Sequence, residues 1–174
     1  MIELIEMTLY TPPYLVNFLV DECMPIYKAK ELFSDENFKV LDPSCGSGIF
    51  LVAALKRMVQ WKAILHYNQT GEVKYPDQET IKRIIRNNIF GVDIEQEATL
   101  ISIFSLSIAL CDKLSPMQIW EDLRFDDLSI HNIQAENFFQ FFNETPKGSF
   151  DLVIGNPPFN PPKGTKNSSF LIIY

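Results

Sequence analysis

The apolar stretch Phe38-Lys39-Val40-Leu41-Asp42 runs directly into Pro43-Ser44-Cys45-Gly46-Ser47-Gly48, and then into a long segment of helical periodicity. A strand, a glycine-bearing turn and a helix in immediate succession constrain this chain more than any other feature. The helix returns the chain to the end where the strand began, so the next strand runs parallel to the first. The helix is read over Ile49 to about Tyr67, with Phe50, Leu51, Ala54, Leu55, Met58, Val59 and Leu65 apolar.

The same alternation recurs downstream. Thr70-Gly71 to Pro76 reads as a loop, and Asp77 can cap a second helix that ends near Asn88. Ile89-Phe90-Gly91-Val92-Asp93 is a second strand, followed by a helix from Glu95 to Cys111 whose acidic first turn suits its dipole. The polar connection from Leu114 to Asp127 carries no decisive pattern. Leu128 to Gln134 reads as a third strand, and Asn137 to Phe142 as a short helix or turn. Thr145-Pro146-Lys147-Gly148 is a loop before a fourth strand, Phe150-Asp151-Leu152-Val153-Ile154. Upstream of all this, Thr11-Pro12-Pro13 opens a helix, with Thr11 as N-cap, a proline in the first turn, and Leu15, Val16, Leu19 and Val20 at helical spacing up to Pro25. Strands alternating with helices give parallel βαβ units, hence a doubly wound α/β sheet.

Length and composition set the limits. With 174 residues and 47% hydrophobic content, the chain suffices for about one domain and one core. It contains no apolar run long enough to span a membrane. The start MIELIEMTLY lacks the basic region of a signal peptide. Cys23, Cys45 and Cys111 are odd in number and form no C-x-x-C pair, so they read as thiols in a reducing, cytoplasmic setting, with no zinc site. A net charge of −7 argues against a dedicated nucleic-acid module, although an enzyme can bind DNA through a local patch. After a loop over Pro161 to Ser169, Phe170-Leu171-Ile172-Ile173-Tyr174 begins an apolar element at which the sequence stops. Four strands are legible and no closing edge. The expectation is an N-terminal piece, residues 1–174, of a larger catalytic domain.

Three segments carry chemistry. Asp42 to Gly48 lies where a doubly wound sheet binds its ligand, at the C-terminal end of a strand. Gly46 and Gly48 let the backbone turn sharply and approach a ligand. The pattern is neither G-x-G-x-x-G nor a phosphate loop. A tight turn that needs glycines for its own sake is the plainer reading. Asp93 ends the second strand, where a carboxylate can accept hydrogen bonds from both ribose hydroxyls. It could equally serve as N-cap for the following helix, and Ile94 would line an adenine pocket. The third segment, Asn156-Pro157-Pro158-Phe159, leaves the fourth strand. Two prolines stiffen the backbone. A stiff turn can aim the Asn156 side-chain oxygen and the Pro157 carbonyl, both acceptors, into one spot. Two acceptors on an exocyclic amino group favour the charged, tetrahedral nitrogen that forms on attack at a methyl group. Phe159 can stack on a flat base, an interaction of about 1–3 kcal/mol. The plainer alternative is a proline-rich strand exit with a surface aromatic.

With these residues in order, the chain from about Tyr10 to Phe159 resembles the N-terminal part of an S-adenosylmethionine-dependent N6-adenine DNA methyltransferase of bacterial restriction–modification systems. DPSCGSGIFL is similar to that family's cofactor loop, GVDI to its ribose-binding strand end, and NPPF to its catalytic motif. Tyr10-Thr11-Pro12 resembles the segment that packs over the methionine end of the cofactor. The resemblance therefore implies a Rossmann-like class I sheet and S-adenosylmethionine bound by Tyr10, Thr11, Pro12, Asp42, Pro43, Ser44, Cys45, Gly46, Gly48, Asp93 and Ile94. It implies Asn156, Pro157, Pro158 and Phe159 as the catalytic set and double-stranded DNA as partner. The motif order matches the gamma subgroup, in which target recognition lies C-terminal. The family's adenine-binding Asp after the third strand is replaced by Asn137, with Glu136 as the alternative. Phe138 either packs beside that adenine or is ordinary core. Protein-glutamine methyltransferases of the release-factor type share an NPPY-like motif, but Pro43, Cys45 and Thr11-Pro12 fit the DNA group better. A cofactor-binding fragment without activity is the remaining alternative.

Other features read as structural. Glu121, Asp122, Asp126 and Asp127 form a solvated acidic face, and His66 and His131 give no metal pattern. Trp61 and Trp120 are packing residues, Cys45 is no nucleophile, and Lys163 and Lys166 lie in a solvated loop. The fourth strand, placed beside a missing fifth, is expected to expose an unpaired edge that invites self-association.

Overall fold

The computed structural model describes residues 11–112, 116–121, 126–146, 148–157 and 172–173. Its centre is β1 (Val40–Asp42), buried at every residue and flanked by β2 (Ile89–Asp93) and β4 (Leu152–Gly155). β3 (Ile133–Ala135) lies outside β2, and β5 (Ile172–Ile173) outside β4. β1 to β4 are all parallel, with Val40 opposite Ile89 on one side and Leu152 on the other. The α/β expectation thus holds, with the order β3-β2-β1-β4-β5. The strand order reverses between β1 and β4, which opens a crevice at the C-terminal ends of those two strands. Asp42 and Asn156 emerge there.

The helices follow from local chemistry. α3 (Ile49–Thr70) runs to Gly71, whose φ of +76° turns the chain while its N–H donates to Tyr67 O at 2.8 Å. Its buried residues include Phe50, Leu51, Ala54, Leu55 and Met58, a stripe at helical spacing. Trp61 of the same helix is fully buried against Phe33 and Phe38, with ring centroids 5.6 Å away in each case. α4 (Gln78–Asn88) is capped as expected, Asp77 accepting from Thr80 N at 2.9 Å. α5 (Gln96–Cys111) packs against α3. Gly91 faces α3, since a methyl group there would sit 2.8 Å from Leu51 Cδ1. By strand alternation Phe90 points to the opposite face. There it meets Phe150 at 5.3 Å, and Phe150 stacks on Phe141 of α7 (Phe138–Glu144). Helices therefore cover both faces.

Several expectations need correction. α1 (Pro13–Cys23) takes Pro12 as its cap residue, and no side chain caps it, so Thr11 does not serve as N-cap. A single 3-10 turn (Ile26–Lys28) and a short α2 (Ala29–Phe33) follow, with nothing in the sequence pattern to announce them. The undecided connection contains α6 (Pro116–Glu121). The third strand begins only at Ile133, because Asn132 N and Ile133 N both donate to Leu128 O and close a turn over Leu128 to Asn132. Asp126 is not simply solvated, since it pairs with Arg86 at 3.0 Å.

The edge of β4 is also not open throughout. β5 pairs with it antiparallel, Ile154 opposite Ile173 and Gly155 opposite Ile172. Among the described residues the sheet has five strands, and the apolar run near residue 172 supplies the partner that the four-strand count lacked. The unpaired backbone on which self-association was expected is engaged at those two residues. Among the described residues no helix is long and apolar enough to cross a membrane.

Candidate active site

The loop after β1 is held from three directions. Cys45 N donates to Val92 O at 2.9 Å, and Gly46 N donates to Asp93 Oδ2 at 2.8 Å. Ser102, from α5, donates its hydroxyl to Gly46 O at 2.8 Å. Gly46 and Gly48 have φ of +52° and +79°, in the region where glycine is favoured. Gly48 also lies against α5, where a methyl group would come within 3.0 Å of Ser102 Oγ. The glycines are thus needed by the turn itself, whatever the loop binds.

Asp42 is 1% exposed, and its Oδ1 accepts from Ser44 N at 3.0 Å. Burial, and to a lesser degree the charge on Asp93, push its carboxyl up from 3.8 to about 7, against the opposing effect of the Ser44 N–H. Asp93 has both oxygens in use. Oδ2 takes the Gly46 N–H and Oδ1 takes Glu95 N–H at 3.0 Å. It does not cap α5, whose cap residue is Glu95. It ties the β1 loop to the end of β2, and each oxygen keeps a further lone pair. Among the described residues no lysine, arginine or histidine pairs with Asp42 or Asp93. Cys45 is buried, and that burial pushes its thiol up to about 12, which fits an inert packing residue. Pro43 is buried next to Asp42, and Ser44 Oγ is buried without a hydrogen-bond partner among the described residues.

The second half of the crevice comes from β4. Gly155 lies so close to Asp42 that a methyl group on it would overlap Asp42 Oδ1 and come within 3.0 Å of Pro43 Cδ. Asn156 and Pro157 follow, both half-buried. Asn156 Nδ2 donates to Thr11 Oγ1 at 3.1 Å, joining the Thr-Pro segment to the asparagine turn across the chain. Tyr10, Pro158 and Phe159 lie outside the described residues. Ile94 stands 71% exposed beyond Asp93. The backbone of Glu136 donates to Asp93 O at 2.9 Å, which sets the end of β3 beside the same edge. Asn137 Oδ1 caps α7 by accepting from Phe139 N at 2.9 Å. Phe138 packs in an aromatic group with Phe139 and Phe142.

Residues 87–172 match the Eco57I restriction-modification methylase family. That stretch carries the Asp93 and Asn156 ends of the crevice. Among curated relatives, the adenine-specific methyltransferase PglX of Streptomyces coelicolor is 34% identical over 182 residues, covering 87% of this chain and 14% of the relative. The putative type II restriction enzyme and methyltransferase RM.MjaORFECS2P of Methanocaldococcus jannaschii is 35% identical over 104 residues, 59% of this chain and 8% of the relative. The type II restriction enzyme and methyltransferase RM.Eco57I of Escherichia coli is 26% identical over 174 residues, 86% of this chain and 17% of the relative. The chain therefore spans only a small part of the length of these methylases.

Three residues of the crevice escaped the reading of the sequence as site residues. Ser102 sits in the middle of an apolar helix, and a small polar residue there was its only signal. Gly91 lies inside β2 and Gly155 is the last residue of β4, and glycine in a strand marks a close approach of another group. The approaching groups are Cys45 with Leu51 at Gly91, and Asp42 at Gly155.

Proposed function

We propose that this chain holds S-adenosylmethionine at the ends of β1 and β2 and that the whole protein transfers its methyl group to the exocyclic N6 amino group of adenine in double-stranded DNA. The observation that carries the reading is the contact of Gly155 with Asp42, which sets the asparagine–proline turn beside the glycine loop. The crevice suits the cofactor. Among the described residues Ser44 Oγ is buried without a partner, and Asp42 and Asp93 are two carboxylates with no side-chain cation, which suits a ligand that carries positive charge. In this reading Asp93 accepts from the ribose hydroxyls with its remaining lone pairs. Ile94 offers an exposed apolar surface to the adenine. Glu136 is a freer acceptor for the adenine amino group than Asn137, whose oxygen already caps α7. In the same reading Tyr10 and Pro12 serve the methionine end of the cofactor, and the Thr11 hydroxyl is engaged by Asn156.

When bound, S-adenosylmethionine supplies an electrophilic methyl group. The work of the chain is to make a poor nucleophile attack it. The lone pair of an exocyclic amine is delocalised into the ring. Asn156 Oδ1 and the Pro157 carbonyl accept its two hydrogens and stabilise the tetrahedral nitrogen as positive charge develops. With the cofactor held at the ends of β1 and β2, its methyl group would pass from sulfur to the nitrogen that Asn156 and Pro157 hold, and that nitrogen would release a proton to solvent. Phe159 stacks on the target base, which must leave the duplex to be reached. The adenine specificity in the name of the relative PglX favours this substrate over a protein glutamine. Residues 1–174 would form the N-terminal part of the catalytic domain, working in a reducing cytoplasm that suits its three free thiols.

The test is transfer of labelled methyl groups by the complete protein to duplex DNA or to a release factor. The expected product is N6-methyladenine in DNA. Asn156→Ala should abolish it and spare cofactor binding, and Phe159→Ala should weaken capture of the target base. Label in the release factor, or near-normal turnover by Asn156→Ala, would overturn the reading.

A further inference from the structure

The two ends of an amide side chain have nearly the same shape and opposite chemistry. A catalytic asparagine that accepts from an amine must present Oδ1, because a 180° flip presents a donor to a donor. Something in the protein must hold the amide in the productive sense. In this structure Asn156 Nδ2 donates to Thr11 Oγ1 at 3.1 Å, and no donor among the described residues reaches Asn156 Oδ1. Thr11 stands just before a helix, where a threonine ordinarily caps with its side chain. Here no side chain caps α1, and the hydroxyl reaches Asn156 instead. Its mount is stiff. Pro12 and Pro13 fix φ at two successive positions, and α1 is anchored by the buried residues Val16, Leu19 and Val20.

We infer that Thr11 is a positioning residue for methyl transfer: its hydroxyl holds the Asn156 amide so that Oδ1 faces the target amino group. This rests on the methyl-transfer reading above. Thr11 has been associated with the cofactor by resemblance alone, whereas the hydrogen bond assigns its side chain to the asparagine.

The test compares Thr11→Val, which keeps the shape and removes the oxygen, with Thr11→Ser, which keeps the oxygen, in the complete protein. Thr11→Val should lower kcat about tenfold, the loss expected from one hydrogen bond that orients a reacting group. Its KM for DNA and its cofactor affinity by calorimetry should stay unchanged. Thr11→Ser should recover most of the lost rate. Thr11→Ala, which also lacks the oxygen, should repeat the kcat loss and serves if the valine variant misfolds. Full kcat in either hydroxyl-less variant, failure of serine to restore it, or a loss confined to cofactor affinity would overturn the inference. Asn156→Ala separates the two levels. If it retains transfer, the methyl-transfer reading falls. If it abolishes transfer while Thr11→Val keeps full kcat, only the role of Thr11 falls.

Discussion

The two ends of the parallel strands treat charge in opposite ways. At the N-terminal end, Glu36 pairs with both Lys62 and Arg83, and Arg86 pairs with Asp126. The Lys62 partner holds the Glu36 carboxyl below its ordinary value. Asn88 Nδ2 donates to Glu36 O and Phe38 O at 2.8 and 3.0 Å. At the C-terminal end, the partners of Asp42 and Asp93 among the described residues are backbone donors, and burial with the nearby Asp93 charge raises the Asp42 carboxyl to about 7. A concavity of about 710 Å³ lies at the paired end, lined by residues such as Glu36, Lys39 and Arg86. The end proposed here to bind the cofactor is set apart by its carboxylates, because a carboxylate withdrawn from water without a counter-charge is costly to keep unless a ligand completes it.

The most damaging change to this contrast is Gly155→Ala. Its methyl group has no room beside Asp42, and a strand paired on both sides cannot easily shift. Overpacking of this kind costs about 1–3 kcal/mol. Cofactor affinity should fall together with the urea midpoint. A variant of full stability and affinity would show that the β1–β4 crevice is looser than the contact implies.

Next in size is Asp93→Ala. Hydrogen bonds to a charged group contribute roughly 1.5–3 kcal/mol each. Removing the carboxylate should weaken S-adenosylmethionine binding at least about tenfold, while the buried core keeps the protein folded. The Gly46 N–H loses its acceptor as well, so Asp93→Asn, which keeps one oxygen, should lie between the two. Unchanged affinity in calorimetry would remove Asp93 from the cofactor site.

The contrast also explains what could be read from the sequence. Periodicity and glycine placement were enough for β1, β2, α3 and α4, because each lies within one continuous segment with its own cap or turn. The motifs at Asp42, Asp93 and Asn156 were legible for the same reason. What stayed hidden depends on residues far apart in the chain. The Thr11 hydroxyl looked like a helix cap, since its actual partner lies 145 positions away. The start of β3 moved because Asn132 is buried, its amide bonded to Ile85 O and Ile89 O, an arrangement with no local signature. β5 is two residues long and exists only as the partner of β4.

A smaller effect is a pH dependence of two opposite signs. The Asp42 carboxyl is raised from 3.8 to about 7 in the folded protein, so its neutral form is preferred there. The stability it contributes is fully present below about pH 4 and is lost as pH rises through about 7. A cationic cofactor favours the ionised form, so affinity should instead increase over the upper part of that range. Asp42→Asn should flatten both trends, read by urea midpoints and calorimetry from about pH 5 to pH 8. Parallel slopes in the variant and the parent protein would assign the dependence to other groups.

The smallest expected effect lies at the opposite end of the sheet and guards the comparison itself. Asp126→Asn removes one partner of the Arg86 pair, in which both side chains are partly exposed. Such pairs contribute about 0–1 kcal/mol, because solvent screens the attraction and holding two side chains costs entropy. Stability should therefore drop by no more than that, and less at high salt. Cofactor affinity should not change at all, since Arg86 lies in the last turn of α4, just before β2 begins, while the crevice opens at the far ends of the strands. If Asp126→Asn weakened S-adenosylmethionine binding as much as Asp93→Ala, the two ends would be coupled through β2. Charge pairing at one end would then be a condition for ligand binding at the other, and the contrast would no longer locate the site.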